Sequence, residues 1–371
     1  MKILLLSPYH SGSHKAWAEG YQKYSTHQVE ILSLPGQLWK WRMHGAAVTL
    51  AQRFWNGDFE PDLIVTDDML DLPTFIALTR RRLAHVPVSL YMHENQLTYP
   101  LPKNKGPMRR NMGVRERQYV LINWKSMLSA DHVFFNSHYH RNILLQELPV
   151  FLRHYPDNSE EASVERIRAK SSVLPVGIEF SKPPVKTMPN QPPLILWNQR
   201  WEFDKNPAEF FAVLRQLKKE GGQFQLAVCG ESFQKAPEAF VRAEEEFTDE
   251  IVHFGFADRL TYEKILARTD IVISTARHEF FGISVLEAIH AGAMPFLPNR
   301  LSYPELIPES MHADVIYENR AELVKRLHLA LQKLLTGIHF TPHLKRYVNR
   351  FNWEKVVMQY DQEFSALALI D

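Results

Sequence analysis

A single cysteine, Cys229, stands among 371 residues, which excludes an internal disulfide, a thiolate zinc cluster and a CxxC redox pair. Such a chain suits a reducing compartment, and a cytoplasmic location is expected. Net charge is lacking too. Lys and Arg number 43 against 42 Asp and Glu, for a formal +1, so no bulk field draws the chain to nucleic acid or an anionic membrane, and any polyanion contact must be local. No apolar run approaches the ~20 residues that span a bilayer. The first run, Ile3 to Leu6, is stopped by Ser7, Pro8, Tyr9 and His10 before a signal-peptide core is complete. Membrane insertion is not expected, no obligate protein partner is inferred, and no internal repeat or low-complexity tract is visible.

What the chain does have is short apolar runs recurring between helical patterns. Lys2–Leu6, Val29–Leu34, Leu63–Thr66, Val86–Met92 and His132–Asn136 lack polar alternation, as buried parallel strands do. A second series follows at Leu194–Trp197, Gln225–Val228, Val252–Phe254, Ile271–Thr275 and Met294–Leu297. Each series implies its own doubly wound α/β sheet. Five prolines (183, 184, 189, 192, 193) mark residues 181–193 as an interdomain linker. The expected domains are therefore 1–180 and 194–350. A helix is expected over 351–371, with Val356, Val357, Tyr360, Phe364 and Leu367 at helical spacing, packing back across the junction.

Chemistry-bearing residues gather where strands end. After the strand at Ile271 come His278, Glu279, Phe280, Phe281 and Gly282, then a helix containing Ile283 and Glu287. In a doubly wound sheet this loop lies at the carboxyl edge, where free N–H groups at a helix start hold a diphosphate and a glycine lets the backbone approach a ligand. After Trp197 come Arg200 and Lys205, a planar fork and a point charge able to neutralise a departing diphosphate without a divalent metal. Gly230 and Glu231 follow a third strand, Gly12, Ser13, His14 and Lys15 follow the first, and His93, Asn95 and Gln96 follow Met92. Asp67, Asp68 and Asp71 are not spaced as D-x-D, and no metal is assigned to them.

The segment Glu279-Phe280-Phe281-Gly282-Ile283-Ser284-Val285-Leu286-Glu287-Ala288 resembles the E-x7-E motif of retaining GT4-type glycosyltransferases, and Arg200…Lys205 resembles their R-x4-K pair. The resemblance implies a GT-B fold, two Rossmann-like domains facing a central cleft. It implies that Glu279 contacts the donor sugar, that Glu287 binds the ribose hydroxyls, and that Gly230 and Glu231 lie near the base. It also implies that a glycine-rich loop at Gly12-Ser13-His14 approaches the donor phosphates and that His93 faces the sugar.

Trp39-Lys40-Trp41-Arg42, His93-Glu94-Asn95-Gln96-Leu97-Thr98-Tyr99-Pro100, Arg200-Trp201-Glu202-Phe203-Asp204-Lys205 and Ala276-Arg277-His278-Glu279-Phe280-Phe281-Gly282 together resemble the tRNA-queuosine alpha-mannosyltransferase family. That implies transfer of mannose from GDP-mannose, as a co-substrate with no cofactor or metal, to queuosine in the anticodon loop of aspartate tRNA. The residues permit an RNA acceptor. Lys103, Lys105, Arg109, Arg110, Arg115, Arg117 and Lys125 face one acidic residue, Glu116, with Tyr119 and Trp124 interleaved. Trp39, Trp41 and Arg42 form a second such cluster, in which basic groups position phosphates and aromatic faces stack bases. A lipid-linked or polysaccharide acceptor would use the same stretch, but Met108–Trp124 carries too many arginines for a membrane-inserting face. A non-catalytic RNA-binding protein on the same scaffold would predict decay of Glu279, Glu287, Arg200 and Lys205, and all four are present.

Overall fold

In the computed structural model both apolar series form parallel six-stranded sheets. The description covers residues 1–100, 114–155, 157–181, 189–230, 237–336 and 342–369, without the side chains of Val114, Arg115 and Pro342. The first sheet comprises β1 (Lys2–His10), β2 (Gln28–Pro35), β3 (Leu63–Asp67), β4 (Val88–Met92), β5 (His132–Phe135) and β6 (Ser171–Val173), in the order β2-β1-β3-β4-β5-β6. The second comprises β7 (Leu194–Trp197), β8 (Gln225–Cys229), β9 (Ile251–Gly255), β10 (Ile271–Ile273), β11 (Met294–Pro298) and β12 (Ile316–Tyr317), in the order β12-β11-β10-β7-β8-β9. Residues of β3, β4, β7 and β10 are buried on both faces, which is why their sequences run apolar without alternation. All ten expected strands are present, with ends shifted by up to four residues. The edge strands β6 and β12 were not expected. At three and two residues they carry too little apolar sequence to register as a run.

The chain divides into two units, residues 1–179 with 351–371 and residues 180–350. Prolines 183 and 184 of the expected linker lie outside the described residues. The first core gathers Leu4, Leu6, Leu50, Phe75, Leu90 and Phe135 between sheet and helices, and the second Trp197, Phe210, Leu226, Ile273 and Leu327. The helix Trp353–Ala368 belongs to the first unit because its apolar face has a partner there. Trp353, Tyr360 and Phe364 are buried, Trp17 Nε1 donates to Tyr360 Oη at 3.1 Å, and Tyr360 Oη donates to the Pro175 carbonyl at 2.9 Å. Asp361 accepts from Tyr21 Oη, Ser25 Oγ and Thr26 N. The Trp353 indole fills the space of missing side chains at Gly20 and Gly177, where any Cβ would collide with it. Truncating so buried an aromatic costs about 3–5 kcal/mol. Among the described residues no helix is long and apolar enough to cross a membrane.

Candidate active site

In the second sheet the chain runs from β7 outward to β8 and β9, then returns to place β10 on the other side of β7. Loops after two such neighbouring strands diverge and leave a crevice at the carboxyl edge. Lys205, after β7, reaches the loop after β10. Its Nζ donates to the His278 carbonyl at 2.8 Å and to Glu279 Oε2 at 3.1 Å, with Asp204 Oδ2 at 3.5 Å. The backbones are tied as well: Thr275 Oγ1 donates to the carbonyls of Lys205 and Asn206, and Arg277 N to that of Asp204 at 2.8 Å. Burial opposes ionisation of Glu279, but the charge and hydrogen bond of Lys205 outweigh it and hold the carboxyl below its ordinary value. His278, buried beside the same ammonium, is pushed down to about 4 and is neutral near pH 7.

Gly282 closes this loop at φ +108°, where a Cβ would also press within 3.2 Å of Leu306, so glycine suits the turn into the helix Ile283–Ala291. Phe281 is buried; its N–H donates to Glu279 Oε1 at 3.4 Å and its carbonyl accepts from Ser302 Oγ at 2.9 Å. Ile283 is half-buried. Glu287, within the helix, accepts from Tyr262 Oη at 3.0 Å and Arg259 Nη1 at 3.3 Å. Burial raises its pKa despite the Arg259 charge and the Tyr262 hydrogen bond. Tyr262, Arg259 and Asn198, whose Nδ2 donates to Tyr262 Oη at 3.0 Å, were not singled out from sequence. Nothing marks Tyr262 and Arg259 but tertiary contact with Glu287, which Asn198 meets only through Tyr262. Arg200 lies nearer solvent than Lys205, though its charge reaches His278. Its guanidinium is half-exposed, 3.4 Å from Glu202 Oε1, a surface pairing of small energetic weight. Gly230 has a packing role, since a Cβ there would collide with Trp201 and the Gln199 carbonyl. Glu231 lies outside the described residues.

The first sheet repeats the topological arrangement, with its switch between β1 and β3. The expected glycine-rich loop at Gly12-Ser13-His14-Lys15 is a helix start instead: β1 runs to His10 and a helix covers Gly12–Tyr24. Gly12, at φ +50°, makes the sharp entry, Ser13 is exposed, and helical geometry turns His14 inward. His14 Nδ1 lies 3.0 Å from Asp67 Oδ2. Burial disfavours its charged form, yet the hydrogen bond and charge of Asp67, with Asp68 and Glu94, raise its pKa to about 9. Asp68 Oδ1 accepts the N–H groups of His93 at 2.7 Å and Glu94 at 3.3 Å. Burial lifts the Asp68 pKa well above the carboxylate range, the His14 charge opposing. Asn123 joins these loops, donating to the Asp68 carbonyl at 2.8 Å and accepting from Gln96 N at 3.2 Å.

His93 is buried among His14, Trp17 and Tyr91, with ring centroids 4.5, 4.9 and 4.7 Å away. Burial, then the charge of His14, drives its pKa down, so it is a neutral imidazole, and its Nε2 has no hydrogen-bond partner among the described residues. Its carbonyl accepts from Asn136 Nδ2 at 2.9 Å, while Ser137 caps the following helix through His140 N. Asp67 accepts from His14 and Met69 N and Asp71 Oδ2 from Thr74 Oγ1, while Asp68 Oδ2 and Asp71 Oδ1 have no hydrogen-bond partner among the described residues.

The residues expected to meet an acceptor divide. Asn95 is buried, and its Oδ1 holds its own turn by accepting from Leu97 N and Thr98 N. Gln96 is half-buried and donates to Glu94 Oε1 at 3.0 Å. Trp39 packs on Tyr119 at 5.1 Å, and Trp124 Nε1 donates to Ser163 Oγ at 2.9 Å. Tyr119 is thus buried in the fold, while Trp39 and Trp124 are half-buried. Trp41 is 61% exposed, and Arg42 Nε donates to the Pro35 carbonyl. Arg117 is half-buried on the helix Val114–Ser129. Lys103, Lys105, Arg109 and Arg110, and the side chain of Arg115, lie outside the described residues.

Residues 2–178 match the family model "tRNA-queuosine alpha-mannosyltransferase N-terminal", and residues 180–337 match "Glycosyl transferases group 1". A Drosophila melanogaster tRNA-queuosine alpha-mannosyltransferase is 34% identical over 88% of this chain and 86% of its own length. A Xanthomonas oryzae GDP-mannose:cellobiosyl-diphosphopolyprenol alpha-mannosyltransferase is 25% identical over 46% of each chain. Among solved structures, sucrose-phosphate synthase from Thermosynechococcus elongatus aligns with TM-score 0.70 at 14% identity, covering 99% of both chains. The catalytic domain of Arabidopsis thaliana starch synthase IV aligns with TM-score 0.71 at 12% identity over 99% of both. Identities this low establish the fold alone, which is GT-B. The two matched models and the extended similarity to the Drosophila protein make this chain a glycosyltransferase, and it belongs to the tRNA-queuosine alpha-mannosyltransferase family.

Proposed function

We propose that the protein transfers mannose, with retention, from GDP-mannose to queuosine in the anticodon loop of aspartate tRNA, without a divalent metal. The similarity to the Drosophila enzyme, which extends over 88% of this chain, carries this reading. Membership of a glycosyltransferase family implies a nucleotide-sugar donor, and the polar groups at the switch point of the second sheet supply what such a donor needs. Glu279 is anionic and fixed by Lys205, so it accepts hydrogen bonds from the hexose hydroxyls. Glu287, held by Tyr262 and Arg259, takes the ribose hydroxyls. The Lys205 ammonium, the half-exposed Arg200 guanidinium and the N–H groups at Gly282 and Ile283 face the diphosphate, where negative charge grows as the glycosidic C–O bond breaks.

The acceptor hydroxyl forms the new bond at the anomeric carbon, and its proton passes to the departing diphosphate. No protein nucleophile is assigned. In the first unit the imidazolium of His14 stabilises donor phosphate charge, and neutral His93 hydrogen-bonds the sugar through Nε2. Arg42, Trp41 and the basic residues between Lys103 and Arg117 receive the RNA, with Asn95 and Gln96 shaping the loop beside it. The expected setting is the cytoplasm, where tRNA is modified.

The test is incubation of purified protein with labelled GDP-mannose and tRNA with or without queuosine, with EDTA present in a parallel set. Label appearing only in queuosine-containing tRNA, with EDTA indifferent, is the expected result. Label in a lipid extract instead, or none in tRNA, overturns the acceptor, and loss with EDTA overturns the metal-free mechanism.

A further inference from the structure

The carboxyl edge of the second sheet carries a further basic feature. Past β10, β11 and β12 the loops bound a cleft of about 440 Å3 lined by Arg277, Arg300 and Arg320 with Glu209, Glu318 and Tyr317. Three arginines stand against two glutamates there, and the glutamates are already engaged. Arg320 grips Glu209 with two guanidinium nitrogens at 2.8 and 2.5 Å, and Glu318 accepts from Asn299 Nδ2 at 2.6 Å. Arg300 spends Nε and one Nη on the carbonyls of Ala276 and Thr275, which orient its charge without cancelling it. Neither Arg277 nor Arg300 has a carboxylate partner among the described residues. Glu209 senses the surplus: its hydrogen bond to Arg320, then the charges of Arg277 and Arg300, hold its carboxyl below the ordinary range. Tyr317, whose Oη donates to the Ser274 carbonyl at 2.8 Å, is a buried floor. The helices Pro207–Lys219 and Arg320–Leu335 begin at Asn206 and Asn319 on the cleft wall, and their N-termini add positive potential.

We propose that this cleft binds a backbone phosphate of the acceptor RNA, with Arg277 as the ligand that reaches it. The proposal rests on the tRNA reading above. A phosphodiester suits the cleft because the Arg277 fork can take its two non-bridging oxygens while the charges of Arg300 and Arg320, whose forks are already engaged, add to the potential. The cleft also adjoins the Glu279 loop through residues 275–277, so a phosphate held by Arg277 would lie on the strand that presents the modified nucleoside. The donor diphosphate, the other phosphate source, is assigned above to Lys205, whose ammonium sits at His278 and Glu279.

Wild type, Arg277→Ala, Arg277→Glu and Glu209→Gln should be titrated with queuosine-containing tRNA, and separately with GDP, over a KCl series. Arg277→Ala should reduce the slope of log K against log salt by about one, the loss of one phosphate contact. Arg277→Glu should weaken tRNA binding roughly tenfold, and Glu209→Gln should tighten it about threefold by removing a like charge from the phosphate's neighbourhood. GDP affinity should be unchanged in all three. Unaltered tRNA affinity and slope in both Arg277 variants would overturn the cleft, as would GDP affinity falling while tRNA affinity holds, which would give the cleft to the donor. Failure of the wild type itself to bind tRNA would instead sink the acceptor reading on which the cleft depends.

Discussion

The switch points of the two sheets hold opposite solutions to the burial of charge. In the second unit, Lys205 sits between two carboxylates and the histidine beside it is kept neutral. In the first, a histidine carries the positive charge, Asp67 balances it, and the neighbouring Asp68 is pushed toward its neutral form. Both follow one rule: a buried charge persists where a partner and hydrogen bonds meet it, and is titrated away where they do not. In the first unit the His14 imidazolium holds its proton because its carboxylate partner Asp67 is present.

The comparison can be broken at five residues. Lys205→Ala leaves Asp204 and Glu279 buried together without their cation, and a loss of about 3–5 kcal/mol is expected when a buried pair is broken from one side. Turnover of labelled GDP-mannose should fall at least ~1,000-fold, with thermal unfolding reporting how much of the loss is structural. Glu279→Gln, which keeps the shape, should lose comparable turnover while keeping the melting temperature.

Asp67→Asn should come next. The His14 pKa is raised from its ordinary 6.5 to about 9, so its contribution is complete below 6.5 and disappears as pH rises through about 9. Without the Asp67 charge that decline should move to lower pH, and at pH 8 transfer should fall ~10–100-fold. The His14 ring shifts by NMR, followed beside the pH–rate profile, check both.

Glu287→Gln should raise the donor KM about tenfold with kcat little altered, since a ribose contact is the same in ground and transition states. Steady-state kinetics with GDP-mannose decide it. The smallest effect is expected for Asp68→Asn. A carboxyl whose pKa is already raised loses little on becoming a neutral amide, and the oxygen that accepts from His93 and Glu94 N–H is kept. Stability at pH 7 should change by less than about 1 kcal/mol, and because the raised pKa costs stability as pH climbs above the ordinary carboxylate value, the variant should gain on wild type in melting scans toward high pH.

Much of this was legible in the chain because parallel strands buried on both faces announce themselves as apolar runs. The motif Glu279-x7-Glu287 was legible for a related reason. A strand end, a glycine at positive φ and a helix start lie within a dozen residues, so local rules place both carboxylates. The first-unit cluster was less legible. His14, Asp67 and Asp68, His93, Asn123 and Asn136 come from five segments of chain, and no spacing announces a contact such as His14–Asp67 across 53 residues. At Gly12-Ser13-His14 polarity suggests a loop and hides that β1 continues to His10 and leads straight into a helix. For the aromatics Trp39, Tyr119 and Trp124, burial withdraws Tyr119 and leaves the two tryptophans half-exposed, and all three pack on helices distant in sequence.

The sequence by itself determined the two α/β sheets, the strand ends on which charged residues sit, and the family. Periodicity and local motifs are properties of contiguous residues. Only the tertiary structure decided that Lys205 grips Glu279, that His14 bears a charge and His93 does not, and that the last helix belongs to the first unit. Each depends on which groups share a low-dielectric space, and that is fixed by packing between segments far apart in the chain.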